Sequence, residues 1–347
     1  MALRKNLILR RPRRGRLDGR KALISSTTAP NLSAQPVIII AGPTASGKSA
    51  LALELAAALS GTIINADSLQ VYRDLRILSA RPDDAAMGRA PHRLYGVLDA
   101  GERGSVGQWR ELAAAEIAAA HAAGRLPIVV GGAGLYLRAL QYGLAAIPPI
   151  PPTIRTEAFG LHERLGGAGF RDLLAALDPA AAARLPPGDS QRLTRAFEVV
   201  RATGVPINDW RRQTAAAPTY RFASLLLMPH RTALYAACDA RFRRMIAAGA
   251  LDEAAALAAR GLDPSLPAMK AVGVPELLRH LHGEMSLNEA VGLAIQATRR
   301  YAKRQMTWFR HQMVADLVLG EQYSESLLRC SRHFIDAFLL TRRTELT

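Results

Sequence analysis

The sequence predicts an α/β fold in which a parallel sheet is flanked by helices and interrupted by an all-helical insertion domain, and three observations carry that expectation. Short apolar runs at Val37 to Ile40, Gly61 to Asn65, Leu126 to Val130 and Phe222 to Met228 have the length of buried strands, and helical patterns separate the first three. The turns that follow the first three runs are rich in glycine or carry an acid, as ligand-binding turns do at the carboxyl edge of a parallel sheet. From the proline-rich Ile147 to Pro152 until Pro218 the strand–helix alternation stops, and then it resumes. At 347 residues the chain is long enough for such a core and an inserted domain.

The first run leads into the most informative stretch, PVIIIAGPTASGKS at 36 to 49. Gly42, Pro43, Thr44, Ala45, Ser46, Gly47, Lys48 and Ser49 fit G-x-x-x-x-G-K-[ST] at each required position, between a strand and the LALELAAAL helix. This predicts a P-loop NTPase-like core. The two glycines let successive N–H groups and the helix N-terminus face one anion, Lys48 adds a cation, and Ser49 is placed to hold Mg2+. The motif does not say whose phosphates are bound.

The second run ends in Ala66-Asp67-Ser68-Leu69-Gln70, so Asp67 lies at the same sheet edge as the phosphate loop, where a catalytic role and a helix N-cap are both open to it. Residues 81 to 104 hold too many prolines and glycines for a helix and predict a surface excursion. Ser105, with Gln108 three residues on, opens a helix to about Ala123. The Leu126 to Val130 strand then ends in Gly131-Gly132-Ala133-Gly134, with no acid to serve the magnesium of a nucleotide hydrolase, which argues against ATP hydrolysis.

In the insertion the clearest helix is Ser190 to Thr203, which places Arg192 and Arg195 about one turn apart. After the sheet resumes, a helix from about Thr232 to Ala248 sets Arg241 beside the apolar stripe Leu234, Cys238, Phe242 and Met245. A guanidinium there needs an anion, either a phosphate ligand or a carboxylate such as Asp239 or Asp67. A last long helix from about Leu287 to Leu319 aligns Arg299, Lys303 and Arg310, with Arg300, Arg304 and His311 on a neighbouring line and Tyr301 and Trp308 at its flank. No acid interrupts this strip between 290 and 315, which favours a phosphate backbone as its partner. The expected organisation is a basic, unstructured extension at 1 to 35, the core at 36 to 146 and 219 to 320, the insertion at 147 to 218, and a C-terminal tail at 321 to 347.

The net charge of +16 agrees with a polyanionic partner, although nine basic residues before position 36 stand against Asp18 alone and account for half of it. Cys238 and Cys330 are the only cysteines, which excludes a disulfide framework or a C-x-x-C zinc site. No apolar run is long enough to span a membrane, so a cytoplasmic protein is expected.

Taken in order, GPTASGKS at 42–49, NADSLQVY at 65–72, APHRL at 90–94, VGGAGLYLRAL at 130–140, DPAAAARLPPGDSQRLTRAFEV at 178–199, DARF at 239–242, LPAMKAVGV at 266–274 and TRRYAKRQMTWFR at 298–310 resemble the bacterial tRNA dimethylallyltransferases, also called tRNA isopentenyltransferases. The resemblance covers Val37 to His311. It implies transfer of a dimethylallyl group from dimethylallyl diphosphate to the exocyclic amine of the adenosine 3′ of the anticodon in tRNA. The phosphate loop would then cradle a prenyl diphosphate. The family's general base matches Asp67, its threonine near the bridging oxygen matches Thr44, and its diphosphate arginine matches Arg241. Family regions that contact the tRNA anticodon stem-loop match Asp67, Ser68, Leu69 and Gln70, then Gln191, Arg192, Leu193, Thr194 and Arg195, then Arg155 and the segment with Lys270, and the basic strip adds Arg300, Lys303 and Arg304.

Two departures stand out: Ala133 replaces a usual threonine at a tRNA contact, and Val272-Gly273-Val274-Pro275 replaces a usual VGY followed by a basic residue. Mg2+ is the expected cofactor and a monomer the expected state. The competing readings are a P-loop kinase of small molecules, which leaves the basic strip and the insertion without a purpose, and a non-catalytic RNA-binding protein, which leaves Asp67 and Arg241 unexplained.

Overall fold

The computed structural model describes residues 34–212 and 220–341, so the expectation for residues 1–33 lies outside them. The chain falls into two compact units, Met1–Gln141 with Pro218–Thr347, and Tyr142–Ala217.

The sheet of the first unit comprises β1 (Gln35–Ala41), β2 (Gly61–Asn65), β3 (His92–Arg93), β4 (Leu126–Gly131), β5 (Tyr220–Leu227) and β6 (Leu317–Leu319), all parallel, in the order β3-β2-β4-β1-β5-β6. Its connections carry α1 (Lys48–Ala58), α2 (Asp84–Arg89), α3 (Val106–Ala122) and α4 (Gly134–Tyr142). The second unit consists of α5 (Pro152–Leu177), α6 (Pro179–Arg184), α7 (Ser190–Thr203) and α8 (Ile207–Arg212). The first unit then resumes with α9 (Arg231–Ala247), α10 (Ala250–Ala259), α11 (Val274–Leu281), α12 (Leu287–Gln312) and α13 (Glu325–Leu340).

The central strand shows why its sequence is apolar without alternation. Val37, Ile39 and Ala41 enter the layer that holds Trp109, Ala113 and Ile117 of α3, whereas Ile38 and Ile40 enter the layer of Leu51 and Leu55 from α1. Both faces of the sheet are covered, as parallel sheets require. Each isoleucine buried here contributes roughly 1.5–3 kcal/mol, so the central strand is a firm base for the loop that follows it. Register aligns Ala41 with Gly131 and Leu226, and Asn65 with Val130. The turns that follow β1, β2, β4 and β5 therefore emerge side by side at one edge.

Three departures from the sequence expectations have simple causes. Residues 81 to 104 contain α2, capped by the Asp83 carboxylate on Ala86 N–H, and the edge strand β3; six-residue and two-residue elements are too short to show a period. The helix expected to reach Leu319 stops at Gln312, because Leu317 to Leu319 pair with β5 at the open edge of the sheet. Residues 325 to 340 are a helix, where a tail was expected. Ile335 of α13 is fully buried in the α1-side layer, and Arg221 of β5 donates to Phe338 O at 2.9 Å with its guanidinium 4.1 Å from that ring's centroid.

The second unit has its own core of Phe170, Leu174, Ala196, Phe197, Val199 and Val200, with α5 broken at Gly166. Leu193, matched to a tRNA-contacting region, belongs to this core, and Thr194 beside it is buried. Leu193 lies one and two turns before Phe197 and Val200 on the same face, and the Thr194 hydroxyl donates to Ser190 O at 2.8 Å. Both side chains are therefore turned toward the protein interior.

Candidate active site

The phosphate loop is shaped by backbone constraints before any ligand arrives. Gly47 takes φ 89°, a left-handed conformation that side chains resist, and a Cβ there would sit 2.7 Å from Cβ of Tyr323. Ser46 N–H returns to Pro43 O at 3.3 Å, and α1 starts at Lys48 with its first-turn N–H groups unpaired by any side-chain cap. This brings Gly42, Pro43, Ala45, Ser46 and Gly47 around the helix N-terminus.

Thr44 is buried, and its N–H and its hydroxyl are both engaged. Its N–H donates to Gln305 Oε1 at 2.8 Å, while its hydroxyl accepts from Arg241 Nη2. Gln305 Nε2 in turn donates to Gly132 O at 3.0 Å, so one buried amide on α12 ties the phosphate loop to the glycine turn after β4. Arg241 keeps Nε without a partner, and burial lowers its pKa. A guanidinium does not lose its proton in that setting and instead favours an anion. Lys48 Nζ donates to Pro43 O at 3.3 Å. The residue is half-buried but its ammonium is enclosed, and desolvation brings its pKa down to about 8 against the opposing attraction of Asp67.

Asp67 is held by hydrogen bonds to its neighbours, none of them to a cation. Asn65 Oδ1 accepts Asp67 N–H at 2.9 Å, Asn65 Nδ2 donates to Asp67 O at 3.1 Å and to Leu94 O at 3.0 Å, and Asp67 Oδ1 accepts Leu69 N–H at 2.9 Å. On the other side, Gly131 packs so closely that a Cβ there would lie 2.0 Å from Ala66 O, and Ala133 N–H donates to that same oxygen at 3.1 Å. The carboxylate therefore faces a cavity whose polar wall includes Thr44 and Arg241 and whose apolar wall is Leu69, Leu78, Phe242, Met245 and Val272. Tyr301 closes one side, its hydroxyl pKa pushed up by burial and then by Asp67.

The structure thus brings together Thr44, Lys48, Asp67 and Arg241. The carboxylate partners weighed for Arg241 are not its hydrogen-bond partners: Asp239 instead pairs with Arg299, whose Nε lies 2.7 Å from Oδ1. Arg299 is thereby withdrawn from the basic strip. Arg300, Lys303 and Arg304 remain exposed on α12, with Arg304 5.7 Å from the Tyr301 ring centroid, and Lys270 is exposed at the end of a 3-10 turn. Leu69 lines the cavity, Ser68 is half-buried, and the Gln70 amide donates to Ser79 O and Ala80 O, so its amide protons serve the protein itself. Ala133 is half-buried in the first unit's core.

Within the second unit, Gln191 is exposed, Arg192 pairs with Asp189 at 3.4 Å, and Arg155 and Arg195 share the buried Glu198 at 3.7 and 3.1 Å. Asn65 and Gln305 are site residues to which the sequence assigned no role, and Tyr301, expected only as the aromatic flank of the basic strip, lines the cavity. Gln305 had a signal, a polar residue on the buried face with Thr298, Ala302 and Phe309.

Ser49 lies exposed in the first turn of α1, and the buried Ser46 Oγ has no partner. Among the described residues no cluster of three His, Cys, Asp or Glu could cage a metal. This donor set fits Mg2+, which takes one or two protein oxygens and fills its octahedron with water and phosphate oxygens.

A family model described as IPP transferase matches residues 70–312, and one described as isopentenyl transferase matches residues 35–103. The chain belongs to the IPP transferase family. Among relatives, the tRNA dimethylallyltransferase of Rhodospirillum centenum is 60% identical over 81% of this chain and 90% of its own length, and that of Rhodospirillum rubrum is 57% identical over 88% and 96%. The crystal structure of the tRNA isopentenylpyrophosphate transferase from Bacillus halodurans matches with TM-score 0.63 at 32% identity, covering 89% of this chain and 98% of that one. A eukaryotic dimethylallyltransferase caught acting on tRNA matches with TM-score 0.73 at 25% identity, covering 87% and 80%. The resemblance drawn from the sequence blocks and the parallel-sheet fold are both borne out. Among the described residues, no helix of this IPP transferase is long and apolar enough to cross a membrane.

Proposed function

We propose that this member of the family transfers a dimethylallyl group from dimethylallyl diphosphate to the exocyclic amine of the adenosine 3′ of the anticodon in tRNA, acting as a cytoplasmic monomer. One observation carries this reading. Thr44 of the phosphate loop, Arg241 and Asp67 line one cavity with an apolar wall, and Lys48 lies within electrostatic reach of both Asp67 and Arg241. A diphosphate bearing a small hydrocarbon needs such a boundary between charge and grease.

In the reaction the amine nitrogen bonds to C1 of the allyl group as the C1–O bond breaks, diphosphate leaves with the bonding pair, and the amine proton passes to Asp67. Adenine's amine is a weak nucleophile, so bond breaking must be assisted by neutralising the departing charge. Lys48, Arg241 and the loop N–H groups are fixed where that charge accumulates, which is electrostatic catalysis by preorganised donors. The Thr44 hydroxyl, held by Arg241, is placed to donate to the bridging oxygen. Mg2+, held by Ser49 and diphosphate oxygens, would neutralise further charge on the leaving group. Asp67, oriented by Asn65 and by the Leu69 N–H, receives the proton, a step worth about 10²–10⁴ in rate.

The target base lies in a stacked anticodon loop and must be extruded to reach the carboxylate. Tyr301, at the cavity wall beneath Arg304, offers that purine an aromatic surface. In the first unit the exposed Arg300, Lys303, Arg304 and Lys270 are proposed to hold the tRNA backbone. The test is incubation of the protein with unmodified tRNA and either dimethylallyl diphosphate or ATP, followed by mass analysis of nucleosides. Prenylated adenosine formed only with the allylic diphosphate supports the proposal, and phosphate transfer from ATP in its place refutes it.

A further inference from the structure

Between Leu75 and Ala80 the chain follows neither helix nor strand, yet Leu78 and Ser79 from this stretch stand in the wall of the cavity beside Asp67 and Arg241. Backbone of this kind has no ladder to satisfy its N–H groups, and partly buried ones need acceptors from elsewhere. Here they come from one side chain far along the sequence. The Glu253 carboxylate on α10 accepts Arg76 N–H at 2.8 Å and Ile77 N–H at 2.7 Å on Oε2, and Leu78 N–H at 2.8 Å on Oε1.

The same stretch is gripped from its other end. Gln70 Nε2 donates to Ser79 O and Ala80 O, both at 2.9 Å, and Gln70 directly follows the turn that carries Asp67. The Ser79 hydroxyl is bonded to Leu75 O, and Ala80 takes φ 55° to end the turn.

We infer that Glu253 is a positioning residue for the prenyl-donor side of the site: its carboxylate fixes the Arg76 to Ser79 wall, and with it the apolar depth available next to Asp67. The inference rests on the prenyl-transfer reading above. A carboxylate suits this task because it is an acceptor only, with about four lone-pair positions, so three converging N–H groups meet no opposing hydrogen. Bonds to an ionised acceptor are also about twice as strong as neutral ones. A glutamine of the same size would turn its own NH2 toward at least one of the donors. Leu78 would then shift against Phe242 and Met245, and the allyl group would lose its alignment with the amine.

The experiment compares the full-length wild type with Glu253→Gln and, as a second variant, Glu253→Asp, which keeps the charge but withdraws it by one methylene. Three quantities are read: KM for dimethylallyl diphosphate, Kd for unmodified tRNA by fluorescence anisotropy, and amide hydrogen exchange. Expected are a rise of about tenfold or more in donor KM, because the displaced wall no longer buries one or two carbons of the allyl group, and a tRNA Kd held within about twofold. Faster exchange confined to Arg76, Ile77 and Leu78 accompanies them. A donor KM within about twofold of wild type in both variants overturns the inference, as does a parallel rise in donor KM and tRNA Kd, which marks a merely structural role. Should the wild type transfer no prenyl group, the proposed function falls. The exchange measurement then still judges the clamp, since unchanged protection of Arg76 to Leu78 in Glu253→Gln refutes it independently.

Discussion

Gln305→Leu is a demanding perturbation, because the side chain it removes is nearly isosteric, only 7% exposed, and holds two backbone groups from different turns. Leucine leaves the Thr44 N–H and the Gly132 carbonyl without partners in an apolar setting. Each unsatisfied buried group costs about 1–3 kcal/mol, so roughly 2–6 kcal/mol is at stake before any water or relaxation intervenes. At about 1.4 °C per kcal/mol for a chain of this length, the melting temperature falls by roughly 3 °C or more. The kinetic effect is more specific. Thr44 accepts from Arg241 through its hydroxyl, so freeing its backbone displaces a threonine and an arginine that face the leaving group, and misplacing one preorganised donor costs about 10² in kcat. Gln305→Glu gives a second signature. Burial beside the Gly132 carbonyl raises the new carboxyl's pKa, and only the protonated acid reproduces both bonds, so this variant recovers activity as pH falls where the wild type does not. Differential scanning calorimetry with steady-state kinetics checks both. A Gln305→Leu protein that melts within about 1 °C of wild type and turns over normally refutes the strut.

Replacing Asp67 with Ala is expected to lower kcat by about 10²–10⁴ while tRNA affinity by gel shift is unchanged, and a retained kcat removes it as the base. Lys48, with its pKa lowered to about 8 in the ligand-free protein, is fully charged below that pH and loses its proton above it. A bound diphosphate favours the ammonium, so donor Kd measured by calorimetry is flat below about pH 8 and rises about tenfold per unit above it, whereas Lys48→Met abolishes this dependence. Exchanging Arg300, Lys303 and Arg304 together for Gln should weaken tRNA binding and reduce the slope of log K against log salt by about 2, read from filter binding across a salt series. Arg299→Gln, whose partner is Asp239, should leave that slope unchanged and lower the melting temperature instead.

What the sequence made legible is what depends on neighbours in the chain. The strand before the phosphate loop, the loop itself and Asp67 at the end of β2 were visible because a buried strand, a glycine turn and a helix start each leave a local pattern. Arg241 was visible because an arginine beside an apolar stripe contradicts its surroundings. Its partner was not, since Thr44 lies 197 positions away and only the closed sheet edge brings the two together. The same limit hid Asp239 from Arg299 and Glu253 from Arg76. The resemblance names Leu193 and Thr194 by position only, whereas the period of α7 buries Leu193 with Phe197 and leaves Thr194 buried beside it. α13 was missed because its polar exposed face and short apolar stripe resemble a solvated tail until Arg221 and the α1-side layer are there to receive it.

These long-range contacts share a chemical logic that bears on mechanism. The groups that hold the site in place are amides and a carboxylate bonded to backbone, namely Asn65 on Asp67, Gln305 on Thr44 and Gly132, and Glu253 on Arg76 to Leu78. The charged groups at the cavity and its phosphate loop are Asp67, Arg241 and Lys48, and among the described residues neither Lys48 nor Arg241 makes a hydrogen bond to a carboxylate; Lys48 touches a carbonyl and Arg241 a hydroxyl. Two enclosed cations with no carboxylate in hydrogen-bond contact oppose folding, since one carbonyl, one hydroxyl and the more distant charge of Asp67 replace their lost hydration only in part. That cost persists in a protein only where a ligand offsets it, and a diphosphate leaving group offsets it most when its charge is greatest, as the C1–O bond breaks. An engineered carboxylate beside Arg241 would stabilise the empty protein by satisfying Nε and would slow the reaction, because the same arginine could no longer strengthen its contact as the leaving group departs.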